Sequence, residues 1–267
     1  MKKFKHYLSC YKAYFRTNLL VFGQYKIDFL AINFASVLIL LIGVINIEII
    51  FSQTDALRGW EKEQVLWNLG FFYLVRAIFN TFFINTLDIG YWIRTGKLDL
   101  YIVRPLNTFF QLLSTGRYNT ELPFDEYAMG IGLMIVAREA FKMPFAAMTI
   151  IWFVVFLLLS TAVYFALRFI VSATAFWSVK SHALGDLVWN FEKMAEYPMP
   201  IYQNFMKFFV TFILPFAFVC YYPASVFLGK RQIFEVLAMH TVIVAALLVT
   251  CILLWRKGMK IYQSTGS

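Results

Sequence analysis

Residues 143–167 read MPFAAMTIIWFVVFLLLSTAVYFAL, 25 positions without one Asp, Glu, Lys, Arg, Asn, Gln or His. About 20 mostly apolar residues in an α-helix, rising about 1.5 Å each, cross a hydrocarbon core of about 30 Å. This stretch is therefore read as a membrane span. Runs 29–47, 208–229 and 236–255 are likewise free of Asp, Glu, Lys and Arg, and 64–87 is as apolar except for Arg76 at its centre. A short Gly-containing run, 127–137 (YAMGIGLMIVA), reaches span length only by extending through Arg138 and Glu139 toward Lys142.

Working outward, the pattern predicts an all-α integral membrane protein with six transmembrane helices: 27–50, 64–87, 126–142, 143–168, 171–195 or 208–229, and 233–255. Two topologies follow from the fifth position. Either 171–206 is a cytoplasmic loop and 208–229 spans, or 171–195 spans and 198–228 is a re-entrant external hairpin broken by Pro215 and Pro223. The composition agrees with a membrane protein: 61% of the 267 residues are hydrophobic, 15% are charged, and mean hydropathy is +0.67. A soluble domain averages about 45–50% apolar and about 25% charged residues, so a soluble enzyme, a disordered scaffold and a coiled coil are excluded. No fixed-period repeat and no Gly/Ser linker divides the chain, which is read as one domain, 1–267.

The net charge of +9 is placed at the flanks of the spans. With the N-terminus inside, cytoplasmic segments hold 17 Lys and Arg, external segments hold six, and Arg76 is left in the membrane. Basic residues in short loops are retained on the cytoplasmic side, so both termini are expected in the cytoplasm. The same distribution gives no reason to expect a nucleic-acid partner.

Phosphate-binding and metal motifs are missing. Gly96-Lys97 and Gly229-Lys230 are followed by Leu98 and Arg231 and lack the upstream glycine of an ATP-binding loop. Cys10, Cys220 and Cys251 have no paired spacing, and His6, His182 and His240 lie in separate segments. No catalytic residue, metal site or cofactor is assigned to this chain. Gly130 and Gly132 are read as small residues that let membrane helices approach closely.

Two segments outside the spans are amphipathic. In 1–26, Phe4, Tyr7, Leu8, Tyr11, Phe15, Leu19 and Phe22 recur at three- and four-residue spacing, with Lys5, Ser9, Lys12 and Arg16 on another face. Such a helix lies in the headgroup layer with Lys5, Lys12 and Arg16 toward anionic lipid, as an interfacial elbow. In the cytoplasmic loop 90–118, Gly96 breaks one helical stretch and Pro105 is expected to start another, because proline suits the first helical position. Leu106, Phe109, Phe110 and Leu113 then form an apolar stripe suited to a protein groove or to the membrane surface.

The pattern G-x-L-D-x-x-x-x-R-P (Gly96, Leu98, Asp99, Arg104, Pro105), the Phe176-Trp177 pair, Tyr197-Pro198, and the run from Pro215-Phe216 to Tyr222-Pro223 resemble the type-2 ABC exporter permeases. The likeness is to their bacterial branch, whose permease subunits are separate from the ATPase, and it extends over nearly the whole chain. It implies a permease that works with a second permease, identical or related, and with ABC ATPase subunits that hold the ATP and Mg. It also implies that the 90–118 loop carries the coupling helix, with Gly96, Leu98, Asp99, Arg104, Pro105, Leu106, Phe109 and Phe110 at the ATPase, and it favours the re-entrant hairpin.

Arg76 needs a separate account, because a cation at the bilayer midplane costs at least about 2.5–3.5 kcal/mol on insertion scales. It is expected either to lock helices together, for example to Asn33 or a carbonyl, or to line a translocation path with Asn80 and Asn33. The function expected from these readings is a permease subunit driven by a separate ATPase through alternating access. A self-sufficient secondary carrier, or a non-transport assembly or sensor subunit, is the alternative.

Overall fold

The computed structural model describes residues 2–24, 26–114, 123–142, 144, 146–178 and 181–263. Among them every regular element is helical: α1 (Lys2–Gln24), α2 (Lys26–Phe51), α3 (Lys62–Phe82), α4 (Ile89–Arg94), α5 (Lys97–Ile102), α6 (Thr108–Ser114), α7 (Phe124–Val136), α8 (Ala147–Ala173), α9 (Ser181–Glu192), α10 (Asn204–Phe208), α11 (Tyr221–Phe227) and α12 (Ile233–Ile261). Short 3₁₀ and π turns join several of them.

Four helical segments are long and apolar enough to cross a membrane: Leu30–Phe51, Lys62–Phe82, Ala147–Phe176 and Ile233–Ile261. A fifth is available if Asn204–Ile213 and Phe216–Phe227 count as one. The chain is a multi-pass membrane protein, and its sequence-based span list needs three corrections. Where 126–142 was expected, α7 has 13 residues, about 20 Å at helical rise, and ends in a 3₁₀ turn at Arg138–Ala140. It does not cross a 30 Å core as one helix. The run 208–229 is not one straight helix, since its two halves meet at 75°. Pro215 has no N–H to donate and ends the π turn Phe209–Ile213 that precedes the bend. Finally, α8 continues past 168 to Ala173, so Arg168 lies within the helix rather than at its end.

α3 is the central stave. Within its span 72% of residues are buried, against 11% for α2 and 22% for α12, whose outward faces are left to lipid or to another chain. α3 packs most extensively on α7, and α8 packs on both α3 and α12. The α3–α7 crossing is set by two glycines. A Cβ on Gly70 would lie 2.8 Å from the Gly130 carbonyl oxygen, and one on Gly130 would lie 2.9 Å from that of Gly70. Gly132 has open space around it, so only the first of the two α7 glycines serves the approach. Because the obstacle is backbone on both sides, Gly70→Ala is expected to lower stability by about 1–3 kcal/mol, while Gly132→Ala leaves it unchanged. Thermal unfolding of the purified proteins in one mild detergent measures the difference, and equal midpoints for the two variants would be incompatible with this crossing.

Contacts gather at the two ends of the bundle. At one end Lys230 Nζ donates to the Gly59 carbonyl at 2.8 Å and sits over the Trp60 ring, and the Lys142 amide donates to the Phe227 carbonyl at 3.0 Å. Partial burial lowers the Lys230 pKa below the usual lysine range. At the other end α1, the 96–114 loop and the last turns of α12 meet. Tyr7 packs edge-on against Phe110, and its hydroxyl accepts a hydrogen bond from the Asn107 amide.

Candidate functional site

Arg76 is paired with two carboxylates. Its Nη2 lies 2.8 Å from Glu126 Oε1 in the first turn of α7, and its Nε lies 3.6 Å from Glu192 Oε1 at the end of α9. Arg168 Nη1 reaches the other oxygen of Glu192 at 3.4 Å, and Asn80 Nδ2 donates to Glu126 Oε2 at 2.9 Å. Two arginines and two carboxylates from α3, α7, α8 and α9 thus form a charge-balanced chain. The carboxylates are the most enclosed members, with Glu126 and Glu192 side chains 6% and 3% exposed. Charges in a membrane interior pair with one another because hydrocarbon does not solvate them.

The sequence positions of three members concealed the network. Glu126 and Arg168 read as the outermost residues of the 126–142 and 143–168 spans, and Glu192 as part of a segment with two readings. What the sequence did offer was Arg76 itself, since a midplane cation requires a carboxylate somewhere. Asn33 takes a neighbouring place. It lines a cavity of about 80 Å³ with Ser36, Asn80, Asp125 and Glu126. On the other side a polar cavity of about 250 Å³ touches Arg168 together with Asp88, Ser172, Asp186 and Trp189. Arg168 Nε is buried there with no hydrogen bond among the described residues, so the network keeps one unused donor.

This arrangement has the chemistry of a lock. Arg76 on α3 holds α7 and α9 at once, so neither can move relative to α3 without parting an ion pair. A third tie lies higher on the same helix, where Asn68 Nδ2 donates to the carbonyls of Ala195 and Glu196 at 3.3 and 3.1 Å. The Cys220 thiol donates to the same Ala195 carbonyl, fastening the bent α10–α11 segment to the chain end of α9.

The 96–114 loop is a second built region. Gly96 has φ +67°, the left-handed conformation that separates α4 from α5 and that glycine adopts without a Cβ penalty. Leu98 is fully buried, and Trp92 packs against Tyr101 beneath it. Arg104 lies over the Tyr101 ring. Pro105 does not start the next helix. It stands in the bend before α6, and Asn107 Oδ1 caps that helix by accepting from the Phe110 amide at 3.1 Å.

The apolar stripe of α6 is used within the chain. Phe109 meets Phe169 and Trp255, Phe110 meets Tyr7, and Leu106 is half-buried. Outward-facing apolar area comes instead from Leu100, Ile102 and Val103, which are 56%, 44% and 79% exposed. Tyr262 lies just past the end of α12, and burial, with the Asp99 carboxylate adding to it, pushes its phenol up to about 12.

On α1, Lys5, Lys12 and Arg16 are exposed, as are Leu8 and Phe15, while Tyr7, Cys10, Tyr11 and Tyr14 are half-buried. The side chains of Phe4, Leu19 and Phe22 lie outside the described residues, as do residues 115–118 of the loop.

A family model described as "ABC-2 family transporter protein" matches residues 37–266, a stretch that includes both the ionic chain and the loop. No curated protein and no solved structure matches the chain.

Proposed function

Since the chain belongs to the ABC-2 transporter family, we propose that it is the permease subunit of an ATP-driven exporter in a bacterial plasma membrane. ABC ATPase subunits supply ATP hydrolysis, and a second permease, identical or related, completes the translocation path. The observation that carries this reading is the 96–114 loop. It is anchored by buried Leu98, by Gln111 and by the Asn107 cap, yet it turns Leu100, Ile102 and Val103 away from the chain, as a groove-docking tip requires. The ionic chain of Arg76, Glu126, Glu192 and Arg168 supports alternating access. Re-pairing between α7 and α9 changes the two states' energies by different amounts, which is what a ligand or a partner needs in order to shift them.

The sidedness follows the basic-residue count. Residues 59, 142 and 230 meet at one end, proposed as external, and α1, the loop and the end of α12 meet at the other, proposed as cytoplasmic. On this arrangement α9 climbs from the cytoplasmic end toward Asn68, and the bent pair after it is the re-entrant hairpin. Single cysteines at Lys62 and Met259 in a cysteine-free background test the assignment with an impermeant thiol reagent. Position 62 should label on intact cells and position 259 only after lysis; the reverse pattern inverts the topology. The transport reading itself is tested by purifying the permease from mild detergent and weighing its partners. A stoichiometric ATPase chain is expected, and transport by the permease without any ATPase would favour a secondary carrier.

A further inference from the structure

α7 and α8 are consecutive helices, and both pack along α3. Between them lies a cavity of about 570 Å³ with Trp67 and Leu74 of α3, Ile131, Met134 and Ile135 of α7, and Ile150 and Phe153 of α8 in its wall. Its origin is the length mismatch in the fold. α7 has 13 residues against 27 in α8, so it stops after about 20 Å and runs beside only part of α8. The mouth faces outward, since Ile131, Ile135 and Ile150 are 50%, 62% and 59% exposed. Only Arg138 and Thr149 are polar among the lining residues, and Thr149 spends its hydroxyl on the Pro144 carbonyl.

We propose that this furrow is a lipid site holding one acyl chain of an anionic phospholipid, with its headgroup at Arg138. An apolar slot of this size inside a bilayer is filled by hydrocarbon, because water gains nothing from walls without hydrogen-bonding groups. The sign of the headgroup comes from the rim. Arg138 pairs with the Glu139 carboxylate, the two side chains being 75% and 82% exposed, and Lys142 Nζ donates to the Glu139 backbone carbonyl, so an incoming phosphate displaces the exposed ion pair at little cost. The chain side of the site is rigid, because Trp67 is clamped by Phe71, Phe141, Phe153 and Phe227. This site lies apart from the ionic chain and does not depend on the transport reading.

The full-length protein is reconstituted in bilayer discs of equal phosphatidylglycerol and phosphatidylcholine, released into mild detergent and weighed intact. One retained phosphatidylglycerol is expected. Ile135→Trp and Ile150→Trp place a ring in the mouth from positions that tolerate bulk, since both side chains already face outward. Displacing two buried methylene groups is enough to reduce retention about tenfold. Arg138→Gln should keep the bound chain and lose the preference for phosphatidylglycerol.

A second measurement does not depend on those variants. Phospholipid brominated on its acyl chains should quench the Trp67 component of the emission, taken as the difference from Trp67→Phe. Equal retention by the parent and both filled variants, or an unquenched Trp67, removes the lipid from the furrow. A second copy of the chain crosslinking through position 135 would give the slot to the permease pair instead and equally overturn the proposal.

Discussion

Arg76→Leu is expected to insert into the membrane at least as well as the parent and to assemble far less stably. Leucine removes the insertion cost of a midplane cation. It also leaves the network's two carboxylates with one arginine, Arg168, which pairs with Glu192. Removing one partner of a buried ion pair costs about 3–5 kcal/mol, because the remaining charge stays buried without compensation. Arg76→Lys should fall between parent and leucine, since an ammonium satisfies one carboxylate well and lacks the planar fork that reaches two.

The decisive comparison adds Glu126→Gln to Arg76→Leu. The amide oxygen still accepts from Asn80, and the uncompensated charge is gone, so the double variant should regain part of what the single one lost. Thermal midpoints in detergent report the lock, and transport reports any further role. If Arg76→Leu matches the parent in both, the network neither locks nor gates. If Arg76→Lys keeps the parental midpoint and loses transport, Arg76 takes part in the conformational cycle beyond holding helices together.

Val103→Asp is expected to leave the permease folded and to weaken ATPase binding by about one to two decades. The side chain is 79% exposed, so the fold has no stake in it. In a partner's groove the same change exchanges an apolar contact worth about 1.5–3 kcal/mol for a carboxylate that needs a partner. Leu100→Ala should act in the same direction with a smaller effect. Phe109→Ala is the control for the opposite outcome. Its ring packs on Phe169 and Trp255, so truncation should destabilise the permease itself, by up to about 3–5 kcal/mol, the cost of a fully buried ring. Pull-down of the ATPase alongside thermal midpoints separates the two cases. Parental ATPase binding by Val103→Asp would take the tip out of the interface.

These two predictions draw on different sources. That Arg76 needed a partner was legible in the sequence, because the energy of a lone midplane cation is a property of the residue and the bilayer. Which carboxylates answer it was not, because Glu126 and Glu192 are 50 and 116 positions away along the chain, one at the edge of a span and the other in a segment with two readings. The same holds for the cytoplasmic loop. Gly96 as a helix breaker was readable, since only glycine takes φ +67° freely. The role of Phe109 was not, because an apolar stripe has the same sequence whether it faces a partner or its own chain.

That the chain lives in a membrane, and that its long helices run through 29–47, 64–82, 143–167 and 236–255, could be read from the residues alone. All of these depend on transfer free energies summed along a local window. That α7 stops short, that 208–229 bends near Pro215, that Gly70 meets Gly130, and that four charges from four helices neutralise one another became visible in the folded chain. Each of those depends on which surfaces meet across the bundle, and a hydropathy window carries no term for a neighbour distant in sequence.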